Sequence, residues 1–318
     1  MGLFGVEGTW HGVIAAPMTP FTSNLASVNH VRYAEQVDFL IRTGVPALAP
    51  ALHIGESPSL TDAERVALVS ATLETAEGRV PVIANVSSSS TLEAVRLAEL
   101  AQEAGAAAVI VASPYYWRPT GSALVAHLTT IANSVDLQVI PYLYPGDLSI
   151  DSFADLLDSV SGVAAVKSGD FDLQVLTEMC RVASSIRSDF SVLAGVEYPL
   201  AMASVGGAGS FSALGVVAPR LVSELSAAVV RGDIAAALPL QHKASELWLL
   251  LRANYPARVK AAAAIMGRDL GPTRPPVCAL DSDQVATLAG RLEQIGLVES
   301  EPHGWLVPTI GDGSHSGE

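Results

Sequence analysis

Eight short apolar runs, spaced along the first three-quarters of the chain, constrain the fold most. They are Val13–Met18, Val45–Leu52, Val80–Val86, Ala106–Ser113, Leu137–Leu143, Val163–Lys167, Phe190–Ala194 and Ala208–Ser212. Each is continuously apolar instead of alternating, the pattern of a parallel strand buried on both faces. Helical patterns lie between them: His30–Arg42, Thr61–Thr75, Thr91–Ala104, Ser122–Ser134, Ile150–Ser159, Leu173–Ile186, Pro199–Val205 and Pro219–Val230. Thr61-Asp62-Ala63-Glu64 has the form of a capping box, and Gly105 stops the third helix. Eight strands each followed by a helix predict an α/β fold of the closed (β/α)₈ barrel type over residues 10–232. An open doubly wound sheet is the competitor. The first strand–helix turn, TPFTSN, lacks the glycine fingerprint that such a sheet uses for dinucleotides. Three further helical patterns, Ala235–Arg252, Ala257–Met266 and Asp281–Ile295, predict a C-terminal helical extension over 233–298. Residues 299–318, rich in Gly, Ser and Pro, read as a weakly ordered tail.

Composition narrows the partners. The chain has 318 residues, is 50% apolar, and carries 18 basic against 32 acidic residues, a formal net charge of −14. That balance disfavours nucleic acid and anionic membrane as partners. No apolar run approaches the roughly 20 residues needed to span a bilayer. Two cysteines, Cys180 and Cys278, are too few for a disulfide scaffold. The opening MGLFGVEGTWHG shows neither a secretory pattern nor the hydroxyl residue of a myristoylation site, so a reducing cytoplasm is expected. No metal-ligand spacing is visible among the seven histidines, and no GxxxxGK[ST] phosphate loop occurs.

In a barrel the chemistry gathers at the C-terminal ends of the strands. Lys167 ends the sixth apolar run, directly after Val163-Ala164-Ala165-Val166. An ordinary lysine, with a pKa of about 10.4, is free amine in only about one molecule in 2,500 at neutral pH. Apolar surroundings raise that fraction and make a Schiff-base nucleophile. The competing reading is a strand-end lysine whose ammonium snorkels to water. Only three lysines occur in the chain, Lys167, Lys243 and Lys260. Tyrosines form a second signal: Tyr115, Tyr116 and Tyr142 fall at predicted strand ends, with Tyr144 just beyond. A phenol there shuttles protons or simply packs at the rim. His53, ending the second run, is either an acid/base group or a hydrogen-bonded structural residue.

The order and spacing of several segments resemble the dihydrodipicolinate synthase / N-acetylneuraminate lyase superfamily of class I aldolases. They are GVIAAPMTPF (Gly12–Phe21), GESPSLTDAER (Gly55–Arg65), PVIANVSSSSTLEAV (Pro81–Val95), SPYYWRPT (Ser113–Thr120), IPYLYPG (Ile140–Gly146), VAAVKSGD (Val163–Asp170), GGAGSFSA (Gly206–Ala213) and VKAAAAIMG with GPTRPP (Val259–Pro276). The resemblance implies a lyase or aldolase, or a dehydratase, acting through an imine between Lys167 and a 2-oxo acid such as pyruvate, with no separate cofactor. It implies that Tyr142 moves protons at the imine and that Tyr116 is lent to the site of a neighbouring subunit in a homodimer or homotetramer.

The departures from the family pattern shape the remaining expectations. Where the family usually reads G-T-T-G-E after the second strand, this chain reads Leu52-His53-Ile54-Gly55-Glu56. Both hydroxyls are absent, so substrate carboxylate binding falls to backbone N–H groups and His53, which is a candidate catalytic residue with Lys167, Tyr142 and Tyr116. Ile54, Gly55, Asp147, Gly195 and Phe211 are the candidate substrate-binding positions. Asp147 stands where the synthase branch carries an arginine for a substrate carboxylate. That reversed charge leads to the expectation that the chain is not the lysine-pathway dihydrodipicolinate synthase. The missing hydroxyls also motivate an alternative: a non-catalytic, ligand-binding member of the fold.

Overall fold

The computed structural model describes residues 10–307. Residues 1–9 of the segment read for a secretory or lipid signal, and 308–318 of the expected tail, lie outside the described residues. The chain folds as an α/β protein around a curled, seven-stranded, wholly parallel sheet. The strands are β1 (Gly12–Ala15), β2 (Ile83–Asn85), β3 (Ala108–Ala112), β4 (Gln138–Leu143), β5 (Ala165–Ser168), β6 (Ser191–Ala194) and β7 (Gly209–Ser212). Their order is β1-β7-β6-β5-β4-β3-β2. Every strand backbone is buried along nearly its whole length, as the continuous apolar runs require.

Seven strands form where eight are expected. The second run, Val45–Leu52, makes no strand of its own. Leu48 instead makes single-residue parallel bridges to Ala15 of β1 and to Val82 before β2. Its amide donates to Pro81 O, and its carbonyl accepts from Ile83 N. Two prolines (Pro46, Pro50) and the left-handed backbone of Ala51 (φ 52°) limit how far this run can extend its ladder.

Helices alternate with the strands: α1 (His30–Arg42), α2 (Asp62–Ala76), α3 (Thr91–Ala104), α4 (Gly121–Ala132), α5 (Ile150–Ser159), α6 (Leu173–Ile186), α7 (Pro199–Ser204) and α8 (Pro219–Val230). The capping box of Thr61 and Glu64 forms at the start of α2. Four more helices follow: α9 (Ile234–Leu251), α10 (Tyr255–Ile265), α11 (Ser282–Gln294) and α12 (Leu297–Ser300).

The two faces of the sheet serve two cores. Ile14, Ile83, Ile110, Ile140, Ala165, Leu193 and Phe211 point inward and share one apolar cluster with α8–α11. Val109, Val139, Val166 and Val192, offset by one residue, point outward onto α3–α6. At the head of the expected weakly ordered tail, Glu301 and Trp305 make contacts with the body of the fold. Glu301 is buried and accepts the amides of Arg220 and Leu221 at the start of α8. Trp305 meets Phe39 of α1 edge to face.

Candidate active site

Strand parity delivers the site. Side chains two apart share a face, so Lys167 follows the inward Ala165, and Tyr142 follows the inward Ile140. The β4–β5 register pairs Tyr142 with Lys167 directly. The Lys167 amine therefore ends inside the sheet's curl, 5% exposed. Its Nζ lies 3.9 Å from the Tyr142 ring centroid and 4.7 Å from that of Phe211. Gly195 makes this crowding possible. A Cβ there would lie 2.8 Å from Ser168 O and 3.4 Å from Lys167 Cε, so the 195 backbone closes over the lysine only as glycine.

The electrostatics suit an amine nucleophile. Burial pushes the Lys167 ammonium down from its ordinary 10.5 to about 7, with the Glu197 carboxylate pulling the other way. Glu197 is itself buried, and burial pushes its carboxyl up to about 7. One of its oxygens accepts from the Ala213 amide at 3.1 Å. Burial, and then the neighbouring Tyr144 phenol, hold the Tyr142 hydroxyl protonated well above its ordinary range. The rings of Tyr142 and Tyr144 lie 4.6 Å apart.

A cavity of about 620 Å³ opens over Lys167. Its wall includes His53, Ile54, Tyr142, Tyr144, Gly195 and Phe211. His53 sits at the mouth, its pKa pushed down by the surrounding protein and then by the charge of Lys167. Gly55 lies just behind, its carbonyl accepting from Thr19 Oγ1 at 2.6 Å. Two expected site residues are placed elsewhere. Tyr116 is 75% exposed on the loop after β3, edge to face with Trp117, and does not line the cavity of its own chain. Asp147 does not line the cavity either. Its carboxylate is spent within the turn after β4, accepting from Ser113 Oγ and, at 2.7 Å, from the Tyr144 amide.

Three wall residues had no signal in the sequence: Trp248, Arg252 and Tyr255, from the end of α9 and the start of α10. Glu197 stood beside Gly195 at a predicted strand end but carried no motif. Among the described residues no three His, Cys, Asp or Glu side chains converge as metal ligands.

A buried, partly deprotonated lysine facing a tyrosine inside a parallel α/β sheet is the equipment of a class I aldolase, and comparison with known proteins agrees. The model of the dihydrodipicolinate synthetase family matches residues 9–295. The chain belongs to that family. The 4-hydroxy-tetrahydrodipicolinate synthase of Methanopyrus kandleri is 35% identical over 296 residues, 90% of this chain and 97% of the relative. That of Bacillus subtilis is 30% identical over 89% of this chain and 98% of its own. Among solved structures, dihydrodipicolinate synthase from Thermotoga maritima superposes with a TM-score of 0.85 at 30% identity, covering 91% of this chain and 99% of that one. YagE, a prophage protein of the dihydrodipicolinic acid synthase family from E. coli solved in complex with pyruvate, gives 0.86 at 27% identity, covering 91% and 100%.

Membership makes the chain an enzyme of the class I aldolase kind, against the non-catalytic alternative. The relatives also correct the expectation drawn from Asp147. Proteins similar over nearly their whole length are 4-hydroxy-tetrahydrodipicolinate synthases, so that activity is not to be excluded. In the structure the Asp147 carboxylate is held within the turn by Ser113 Oγ and the Tyr144 amide and does not itself line the cavity.

Proposed function

We propose that the chain is a pyruvate-condensing synthase of the 4-hydroxy-tetrahydrodipicolinate synthase type. The observation that carries this is the Lys167 amine, buried against Tyr142 and Phe211 and brought to about 7 by its surroundings. At neutral pH about half of such amines are free to attack the C2 ketone of pyruvate. The ketone oxygen leaves as water, with the Tyr142 phenol as the adjacent group to carry protons. The imine then withdraws electrons from C3, which loses a proton to give an enamine. The enamine carbon attacks the aldehyde of the second reactant and its oxygen takes up a proton. The amine of the second reactant then adds to the imine carbon and displaces the Lys167 amine, which closes the cyclic imine of the product, so the lysine is regenerated and no cofactor is consumed.

The bridges of Leu48 to both edge strands support reading residues 10–232 as a closed (β/α)₈ barrel, with 45–52 as the eighth stave and 233–298 as the extension. Ile54 is assigned to the carboxylate end of the pyruvate site with the backbone of Gly55 next to it, and His53 stands at the mouth; Ile54 and His53 both line the cavity. The exposed Tyr116 supports a homodimer or homotetramer in which it reaches a neighbouring site.

Incubation with pyruvate and borohydride, followed by intact mass and peptide mapping, tests the reading. A pyruvate-sized adduct on Lys167, lost in Lys167→Ala, is expected, together with formation of 4-hydroxy-tetrahydrodipicolinate. An unmodified Lys167 in folded protein overturns it.

A further inference from the structure

The cavity is far larger than pyruvate requires, and its second half has its own chemistry. Part of its wall is formed by Trp248, Arg252 and Tyr255, at the end of α9 and the start of α10. Trp248 and Tyr255 meet edge to face at 4.7 Å, forming a firm apolar backing. Arg252, the C-cap of α9, stands beside them with its side chain exposed to the cavity mouth.

No Asp or Glu lines this cavity. The carboxylates around it lie outside its wall: Asp147 is held by Ser113 and the Tyr144 amide, Glu197 has one oxygen on the Ala213 amide, and Glu56 pairs with Lys260. Arg252 forms no ion pair with any of them or with another described carboxylate. A guanidinium is always charged and presents a planar fork that matches a carboxylate. Left without a protein partner at the rim of an apolar cavity, it is a ready receptor for one.

We propose that Arg252 forms an anion subsite that holds a terminal carboxylate of the reactant extending away from Lys167. The inference rests on Lys167 being the imine-forming amine. It makes the class of second reactant a carboxylate-bearing one, in preference to a neutral aldehyde or a sugar. Lys167 then fixes one end of the assembled intermediate covalently, and Arg252 fixes the other by charge.

The test separates this subsite from the imine chemistry. Pyruvate, the dicarboxylates 2-oxoglutarate and 2-oxoadipate, and their monocarboxylate counterparts 2-oxopentanoate and 2-oxohexanoate are each trapped on the protein with borohydride. The half-saturating concentration is read from the adduct mass. At least one dicarboxylate is expected to saturate at about tenfold lower concentration than its counterpart. Arg252→Met should erase that preference while leaving pyruvate trapping unchanged, and Arg252→Lys should keep part of it. No preference in the native protein, a preference that survives Arg252→Met, or trapping of pyruvate alone overturns the subsite. Failure to trap even pyruvate overturns the Lys167 reading and the subsite with it. Parallel loss of pyruvate trapping in Arg252→Met assigns Arg252 to the pyruvate end and also overturns the proposal.

Discussion

At the scale of single residues, the site is a contest between burial and charge. Burial lowers the Lys167 pKa and the Glu197 carboxylate partly restores it, burial being the larger. Imine formation should therefore rise with pH through about 7 and level off above it. Glu197→Gln removes the charge that favours the ammonium, so the rising limb of adduct formation should move to lower pH. An unmoved limb would show that Glu197 does not act on Lys167. Stability carries the same sign. Between about 7 and 10.5 the unfolded chain binds a proton at this lysine that the folded chain does not. The lysine therefore costs stability that is regained as pH rises through that window. Lys167→Met should melt higher than the native protein at pH 7, with the gap shrinking toward pH 10, which thermal unfolding at several pH values would reveal.

At the scale of elements, the loop holding His53, Ile54 and Gly55 is set from a distance. It is bracketed by two left-handed non-glycine residues, Ala51 (φ 52°) and Glu56 (φ 59°), a conformation that costs about 1 kcal/mol or more per residue and persists only when neighbours enforce it. The enforcement comes from the C-terminal extension. Lys260 of α10 brings Nζ to 2.7 Å from Glu56 Oε1, both side chains almost wholly buried, and donates to Pro272 O at 2.7 Å. The other Glu56 oxygen accepts the Arg274 amide at 2.9 Å, and Arg274 pairs in turn with Glu64 of α2. Removing one member leaves a buried charge alone, at a cost of about 3–5 kcal/mol. Lys260→Met should thus lower the melting temperature sharply. The double variant Glu56→Gln/Lys260→Met should recover much of it yet trap pyruvate more slowly, because the loop is no longer clamped. Equal melting of single and double variants would rule out a coupled pair.

These couplings also mark the limit of what the sequence discloses. Seven strands were legible because a two-faced burial demand writes itself as a continuous apolar run. Lys167 and Tyr142 were legible because they end such runs. Val45–Leu52 reads like its fellows, yet its prolines and Ala51 hold it to a single bridged residue. Arg252 and Tyr255 reach the cavity only through the docking of α9 and α10, which no local pattern encodes. Asp147 was visible as a charge, but the two donors that hold it in the turn, out of the cavity wall, were not.

At the scale of the whole molecule, the proposed role of Tyr116 requires a second chain. Tyr142 stands over Lys167, whereas Tyr115, Tyr116 and Trp117 project together from the loop after β3 at 75%, 75% and 73% exposure. Three large aromatics side by side in water cost free energy unless something covers them, and such patches mark association surfaces. A second copy of the chain would cover them and, on the proposed reading, bring Tyr116 to the neighbouring site. Each subunit would then be chemically incomplete alone. A Tyr116→Asp/Trp117→Asp variant should run as a smaller species by light scattering and lose turnover. It should still trap pyruvate on Lys167, because the amine and Tyr142 belong to one chain. Full turnover by a monomeric variant would show that the site needs no neighbour. Loss of pyruvate trapping along with turnover would mean that association shapes the Lys167 pocket itself and does more than supply a phenol. Native protein diluted through its association range should follow the variant, with activity per subunit falling while borohydride trapping holds.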